Sequence, residues 1–380
     1  MKIAFIHNEK KIGTGANIIN DLIVSKLRSR HVDVRNFYPK FLLNDAPVHF
    51  KGINNILFFY SLLEKRDEFL KCDIIQGTTY TPLAFLRFSR PIVSHFGSTT
   101  IGFLRAVPKT SLLEEGCADI LYQLQKDAVL KEVNIQTRRP LNDIFSIEKY
   151  AADHVDYIIA TSQIVKDDLV GAGVDPKKIT IIHNAFEDYW FDDLDRVPVQ
   201  EPSIIFLGRM GEDAFTFKLK GVDRLIYLLR KFPHVPKLSI VMSRNKKLVS
   251  WLQHNIDKHV VLDNAAKDTI PAILQKQAGS IALLLSRYEG FSLSLIELMS
   301  QQLVPISYPV GVAPEIIRDG ENGFIVHSLA EAEDKINLLL HDTDLRNAMA
   351  LKARQTAIMF KADNMIDRMV DLYHDILSKK

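Results

Sequence analysis

Short apolar runs alternate with helix-like segments along the chain, and this alternation is the feature that most constrains the fold. The first series is "KIAFIH" (2–7), "VDVRNF" (32–37), "DIIQG" (73–77), "PIVSHFG" (91–97), "DYIIATS" (156–162) and "ITIIHNA" (179–185). The second is "SIIFLGR" (203–209), "KLSIVMS" (237–243), "VVLDN" (260–264), "IALLLS" (281–286), "VPISY" (304–308) and "GFIVHS" (323–328). Apolar runs of this length, joined by helical patterns such as residues 16–30, predict parallel strands buried on both faces of a sheet.

The two series predict two domains. An acidic, proline-bearing stretch near residues 190–202 separates them, and 380 residues exceed what one compact core usually serves. We therefore predict an α/β protein of two doubly wound Rossmann-like domains, residues 1–196 and 197–362, with a C-terminal helix at 363–380 packing back on the first domain. Ligands of such sheets bind outside the carboxyl ends of the strands, so we expect the domains to face a central cleft.

The charge balance excludes some classes of protein and leaves one question open. The formal net charge is only +2, with 47% hydrophobic residues, which argues against disorder and against a dedicated nucleic-acid binder. Residues 1–110 nevertheless hold 16 Lys and Arg against 8 Asp and Glu. This basic excess fits either a peripheral contact with an anionic membrane surface or ordinary solvated faces.

Cysteine content and the lengths of the apolar runs indicate the cellular compartment of the protein. Cys72 and Cys117 are 45 positions apart without a CxxC partner, which is typical of reduced, structural cysteines in the cytoplasm. The N-terminal apolar run is too short for a signal peptide, and no run is long enough to span a bilayer. We expect a cytoplasmic protein, with the inner face of the membrane as the place of any peripheral contact.

The segment "SRYEGFSLSLIELMS" (286–300) is the most informative for function. It places Glu289 after a buried strand and before the turn at Gly290, while Glu297 follows on a helix that begins near Ser292. An unpaired carboxylate in apolar surroundings is costly, so both glutamates need partners. Carboxylates can hold sugar and ribose hydroxyls, and helix N–H groups can contact further oxygens. Chance spacing in a helical protein is the competing interpretation.

Two further strand ends carry residues suited to phosphate. Glycines at 13 and 15 let the backbone approach a phosphate or sugar at a helix start, although a tight connection without a ligand gives the same pattern. Arg209 ends a strand, and Lys218 and Lys220 precede a helix that begins near Gly221. An arginine and a lysine together suit a diphosphate, while a solvated basic rim is the alternative.

Metal sites are not indicated. Asp193 and Asp195 lie within "DDLD" of the acidic stretch, which we interpret as solvated. The histidines show neither HxxxH nor HExxH spacing, so no metal and no cofactor is predicted.

The segment "SRYEGFSLSLIELMSQQLVPISYPVGVAPEIIRDGENGFIV" resembles the signature of retaining glycosyltransferases of family 4, whose fold is of the GT-B type. The likeness extends to the glycine loop at 13–15, "SHFGS" around His95, "ATSQIVKDDLVGAGVDPKKITIIHNAF" at the domain junction and "GR…KG" at 209–221. The junction departs from the usual Asn-Gly-Val-Asp, reading Asn184-Ala185-Phe186-Glu187. The insertion "MGEDAFTF" leaves Lys218 as a rival to Lys220 for the lysine role.

The resemblance implies roles for individual residues. The catalytic set is His95 near the anomeric centre, Glu289 at the donor sugar, and Arg209 with Lys220 on the diphosphate. The donor-binding set is Gly13, Gly15, Gly290, Phe291, Ser292, Leu293, Glu297 on the ribose, and Lys218.

The implied activity is a retaining, metal-independent transfer of a hexose from a nucleotide diphosphate sugar to a glycan or lipid-linked acceptor, as in cell-surface polysaccharide or glycolipid biosynthesis. In such a transfer the leaving phosphate accepts the acceptor's proton, and no side chain need become a covalent nucleophile. Two alternatives stay open: a non-catalytic protein that binds sugar nucleotides, and an epimerase or phosphorylase with the same fold.

Overall fold

The computed structural model describes residues 1–8, 15–41, 57–135, 139–192, 196–211, 213–243 and 245–379. Within them, parallel strands form two six-stranded sheets. The first sheet contains β1 (Lys2–Ile6), β2 (Asp33–Phe37), β3 (Ile74–Thr78), β4 (Ile92–Phe96), β5 (Tyr157–Ala160) and β6 (Ile179–Ile181). The second contains β7 (Ile204–Arg209), β8 (Lys237–Met242), β9 (His259–Asp263), β10 (Ile281–Leu284), β11 (Val304–Ser307) and β12 (Phe324–Ile325).

Helices connect the strands, as expected for parallel neighbours. In the first half they are α1 (Gly15–Ser29), α2 (Arg66–Leu70), α3 (Thr100–Ala106), α4 (Cys117–Lys126), α5 (Arg139–His154) and α6 (Gln163–Gly171). In the second half they are α7 (Ala214–Leu219), α8 (Val222–Lys231), α9 (Lys246–Asn255), α10 (Ile270–Gln275), α11 (Leu293–Ser300), α12 (Ala313–Ile316), α13 (Leu329–His341), α14 (Thr343–Ala357) and α15 (Ala362–Ser378).

The first compact unit comprises Met1–Ile101, Arg139–Glu187 and Phe360–Lys380. Its strand order is β2-β1-β3-β4-β5-β6, so the direction of winding reverses between β1 and β3. Helix α15 belongs to this unit: it packs on α1, and the Tyr373 hydroxyl donates a hydrogen bond to the buried Gln76.

The second unit comprises Gly102–Arg138 and Asp188–Met359, and its strand order is β12-β11-β10-β7-β8-β9. The winding reverses between β7 and β10, the place where doubly wound sheets bind ligands. Both sheets therefore have the predicted doubly wound Rossmann-like topology.

The segment from Gly102 to Arg138 differs from the predicted domain bounds, which placed it in the first domain. Several apolar residues of this segment lie in the core of the second unit; among them are Cys117, Leu121, Leu124 and Leu130, each at most 2% exposed. Helix α4 packs on α8, since the amphipathic pattern of α4 supplies one continuous apolar face to that core. The second unit is thus built from two separate pieces of the chain.

No helix in the described part of the chain is long and apolar enough to cross a membrane.

Candidate functional site

A small pocket of about 40 Å³ opens at the reversal of winding in the second unit. It lies at the carboxyl ends of β7 and β10. Its lining residues are Phe206, Leu207, Gly208, Arg209, Lys220, Leu283, Leu284, Leu285, Ser286, Glu289 and Ser294. Arg209, Lys220 and Glu289, which the sequence placed at three separate points, thus line one pocket.

Glu289 is held by two partners inside this pocket. Its Oε1 lies 2.6 Å from Lys220 Nζ, and the same oxygen accepts a hydrogen bond of 2.8 Å from the Ser286 hydroxyl. The side chains of Lys220 and Glu289 are 25% and 18% exposed, so the ion pair is partly shielded from water. Because an ammonium group has three donors, Lys220 can hold Glu289 and still contact another anion.

Lys220 reaches the end of β10 because of Gly221. Gly221 has φ +63° and is the N-cap of α8, and a Cβ there would lie 1.9 Å from the Leu285 carbonyl oxygen. Only glycine combines that backbone conformation with so close an approach. The chain just after Lys220 therefore lies against the residue that precedes Ser286.

The turn after Glu289 is fixed by a second close approach. Gly311 has φ +56°, and a Cβ there would lie 2.5 Å from the Phe291 carbonyl oxygen and 3.1 Å from Glu289 Cβ. The same carbonyl accepts a 2.9 Å hydrogen bond from Val312 N. Helix α11 then begins at Leu293, with Ser292 as its N-cap. Gly290 and Phe291 are buried in this turn, and the Phe291 ring lies in the apolar interior.

Lys218 has a different environment from Lys220. It is 0% exposed, and its Nζ donates a 3.0 Å hydrogen bond to the Pro108 carbonyl. Burial lowers the pKa of Lys218 below its usual value. Since Lys218 is not among the residues that line the pocket and Lys220 is, the geometry favours Lys220 for contact with a ligand.

The other predicted residues lie elsewhere. Glu297 is half-buried on α11 and is not among the lining residues. His95 and Gly15 belong to the first unit: Gly15 begins α1, and His95 lies on β4. Burial lowers the pKa of His95 to about 4, so its imidazole is neutral at pH 7. Gly13 lies outside the described residues, as do Asp193 and Asp195.

Sequence reasoning did not identify Ser286 and Ser294 as pocket residues. Ser286 could have been found, because it precedes Glu289 by three positions at a strand end, where a short turn brings hydroxyl and carboxylate together. Ser294 gave no comparable signal, since "SLSL" resembles any helix start.

A cluster of charged side chains includes Arg287, which lies in the chain between the pocket residues Ser286 and Glu289. Arg287 contacts Asp223 and Glu114, and Arg224 also contacts Glu114. Ligand atoms of Glu114, Cys117 and Asp223 lie within 4.8 Å of one another, which is metal-ligand spacing. The two guanidinium groups already supply the positive charge that these carboxylates need. Although burial raises it, the pKa of Glu114 is held below its ordinary value by Arg224 and Arg287.

Two family models match the chain in succession. The model for Glycosyltransferase Family 4 matches residues 26–188, and the model for Glycosyl transferases group 1 matches residues 196–356. The chain belongs to these GT-B glycosyltransferases. The match to the second model contains all the lining residues of the pocket.

Curated relatives of this glycosyltransferase are distant. An uncharacterized 41.2 kDa protein in the cps region of Klebsiella pneumoniae is 24% identical over 306 residues, which is 76% of this chain and 80% of that protein. The N-acetyl-alpha-D-glucosaminyl L-malate synthase of Bacillus anthracis is 31% identical over 100 residues, 26% of each chain.

Solved structures share the whole fold of the glycosyltransferase at low identity. Sucrose-phosphate synthase from Thermosynechococcus elongatus matches with a TM-score of 0.75 at 15% identity over 100% of both chains. Anabaena HepE in complex with UDP-glucose matches with a TM-score of 0.66 at 17% identity, again over 100% of both chains. These likenesses concern the fold.

Proposed function

We propose that this glycosyltransferase transfers a hexose from a nucleotide diphosphate sugar to a glycan or lipid-linked acceptor, with retention at the anomeric carbon and without metal or cofactor. The observation that carries the proposal is the meeting of Arg209, Lys220 and Glu289 in one pocket at the reversal of the second sheet. The UDP-glucose bound to the similar HepE fold and the cps location of the Klebsiella relative support the donor class and a role in polysaccharide synthesis.

The charges of the pocket suit the departure of a nucleotide. Breaking the glycosidic bond to the diphosphate develops negative charge on the phosphate oxygens and positive charge at the anomeric carbon. Arg209 and Lys220 both line the pocket and stabilise the negative charge, while the carboxylate of Glu289 holds sugar hydroxyls. Glu297, on the following helix α11, is assigned to the ribose. The backbone amides from Gly290 to Leu293 are assigned to further oxygens of the sugar.

The proton of the acceptor hydroxyl goes to the leaving phosphate on the same face of the sugar. Glu289 is the one carboxylate among the described lining residues of the pocket, no histidine lines it, and Glu289 Oε1 already contacts Lys220 and Ser286. His95 is neutral at pH 7 and is assigned to orienting the sugar. Gly13 and Gly15 are assigned to contact with the donor phosphates.

The test is incubation of the purified protein with a panel of nucleotide sugars and glycan or lipid-linked acceptors, in buffer with EDTA. We expect nucleotide release that requires the acceptor and persists in EDTA, and a product whose anomeric configuration by NMR equals that of the donor. Activity that is lost in EDTA and restored by Mg²⁺ contradicts metal independence, and an inverted product contradicts retention.

The same assay separates the two alternatives. Donor binding without turnover on any acceptor favours a non-catalytic binding protein. A free sugar phosphate or an isomerised sugar nucleotide as product selects a phosphorylase or an epimerase.

We further propose a cytoplasmic protein that contacts the inner face of the membrane through its basic first 110 residues. The free, buried cysteines Cys72 and Cys117 support a reducing compartment. Co-sedimentation with anionic but not neutral vesicles, lost at high salt, is the expected result, and equal sedimentation with both contradicts the contact.

A further inference from the structure

Arg287 lies in the chain between the pocket residues Ser286 and Glu289, and each of its two terminal nitrogens makes two hydrogen bonds. Its side chain is 5% exposed. Nη1 and Nη2 donate to the two carboxylate oxygens of Asp223 at 2.8 and 2.6 Å, Nη2 donates to Glu114 Oε2 at 2.8 Å, and Nη1 donates to the Lys218 carbonyl at 2.6 Å. Only the planar fork of an arginine can make these contacts together.

These contacts join the two chain segments that carry Lys220 and Glu289. Arg287 is two positions before Glu289, and its backbone N–H donates to the Leu219 carbonyl at 2.8 Å, one residue before Lys220. Its side chain donates hydrogen bonds to the Lys218 carbonyl and to the Asp223 carboxylate, which lie before and after Lys220 in the chain. The position of Lys220 relative to Glu289 therefore depends on contacts made by Arg287.

Glu114 extends the cluster to a third part of the chain. It lies between α3 and α4, and besides Arg287 it accepts a 2.6 Å hydrogen bond from Arg224 Nε. Arg224 in turn donates from Nη1 to the Leu285 carbonyl at 3.0 Å, next to Ser286. Both arginines thus connect Glu114 to the chain around the pocket.

A stabilising role alone is a poor explanation for such a cluster. Buried ion pairs contribute little net stability compared with well-packed apolar residues of the same volume, and in some proteins they instead hold their partners in one geometry. We propose that Arg287 is a positioning residue, which through Asp223, Glu114 and the Lys218 carbonyl sets the distance between Lys220 and Glu289 and so the affinity for the diphosphate of the donor. This inference rests on the proposed function.

The test compares Arg287→Lys with a matched control, Arg346→Lys. Arg346 on α14 is 0% exposed and, like Arg287, donates to a backbone carbonyl, that of Leu339 at 2.6 Å, but it is not a lining residue of the pocket. Binding of UDP, ADP and GDP is measured separately by calorimetry, together with thermal unfolding. We expect Arg287→Lys to weaken binding of the preferred nucleotide by about ten- to a hundredfold. We expect Arg346→Lys to lower the melting temperature while leaving binding unchanged.

A coupling measurement excludes a merely structural effect. The interaction between Lys220→Met and Glu289→Gln in nucleotide-sugar binding is measured in the wild-type and Arg287→Lys backgrounds. Loss of the coupling in the second background supports positioning, and unchanged coupling overturns it. If Arg287→Lys does not fold, Glu114→Gln takes its place, with a smaller effect in the same direction expected.

The outcomes separate this inference from the function on which it rests. If the wild-type protein binds none of the nucleotides and transfers no sugar, the proposed function fails and the inference fails with it. If the wild-type protein binds one of them and Arg287→Lys and Arg346→Lys change binding equally, the inference fails and the proposed function stands.

Discussion

Lys220 Nζ lies 2.6 Å from Glu289 Oε1, joining the end of α7 to the turn after β10 across the reversal of the second sheet. The nearby Lys218 instead donates to Pro108 and is fully buried. Two lysines separated by one residue therefore have separate environments, and only one of them lines the pocket.

Replacement of each lysine by methionine tests this difference. Lys220→Met removes the cation proposed for the leaving diphosphate, so we expect turnover to fall about a hundred- to thousandfold. Lys218→Met keeps a long apolar side chain in a buried position, so we expect donor affinity within about threefold of wild type and the main change in stability. Steady-state kinetics and thermal unfolding on both variants decide the matter. A large loss of turnover in Lys218→Met, with only a loss of stability in Lys220→Met, would assign the contact with the diphosphate to Lys218.

Gly221→Ala is expected to destabilise the second unit strongly. The added Cβ meets the Leu285 carbonyl oxygen and is also placed at φ +63°. Gly320→Ala is the matched control, because Gly320 has φ +76° with no atom within 4 Å of a built Cβ. We expect a loss of about 1 kcal/mol for Gly320→Ala and clearly more for Gly221→Ala, measured by urea unfolding. Equal losses would contradict the close approach.

Ser292 has φ +78°, a left-handed conformation that side chains other than glycine adopt with strain. Its hydroxyl is buried and finds no hydrogen-bond partner among the described residues. Ser292→Ala and Ser292→Gly both remove the hydroxyl, but only glycine relieves the strain. We expect the glycine variant to be more stable than the alanine variant by about 1 kcal/mol in urea unfolding. Equal stability of the two variants would contradict the strained backbone.

Glu148 makes the first unit sensitive to pH. Burial raises its pKa to about 7, although its carboxylate accepts hydrogen bonds from Thr100 N at 2.8 Å and Thr100 Oγ1 at 2.9 Å. The folded protein therefore keeps a proton that the unfolded chain releases near pH 4.5, so stability falls as pH rises from about 4.5 through 7.

Glu148→Gln is expected to remove this contribution while preserving the shape and an acceptor for Thr100 N. Between pH 5 and 8 the free energy of unfolding of the wild-type protein should fall by on the order of 2 kcal/mol more than that of the variant, as measured by thermal unfolding. Parallel profiles for the two proteins would contradict the raised pKa.

The sequence predicted the strands well because a doubly wound sheet is buried on both faces. "KIAFIH" is β1 and "SIIFLGR" is β7, and each predicted start lies within one residue of the observed strand. The same burial explains why Arg209 and Glu289 could be placed at strand ends. Parallel strands leave their carboxyl ends on one edge, and polar residues that follow an apolar run must lie there.

Two features could not be predicted in this way: which of the two lysines lines the pocket, and which unit contains α4. Lys218 and Lys220 differ in burial because α7 ends between them, and helix ends are the least certain feature of a sequence pattern. The apolar face of α4 carries Ile120, Leu121 and Leu124, which would suit either sheet. Its place in the second unit depends on long-range contacts such as that of Glu114 with Arg287, and no local periodicity encodes them.

The discontinuity of both units has a consequence for synthesis on the ribosome. The first unit needs residues 360–379 from the last part of the chain, and the second needs residues 102–135, which are made long before the rest of its sheet. Neither core is formed by one contiguous fragment. A fragment of residues 188–359 expressed alone would expose the surface that α4 covers and would leave Arg224 and Arg287 without Glu114. The second unit can therefore close once α14 has been synthesised, whereas the first unit has to wait for α15.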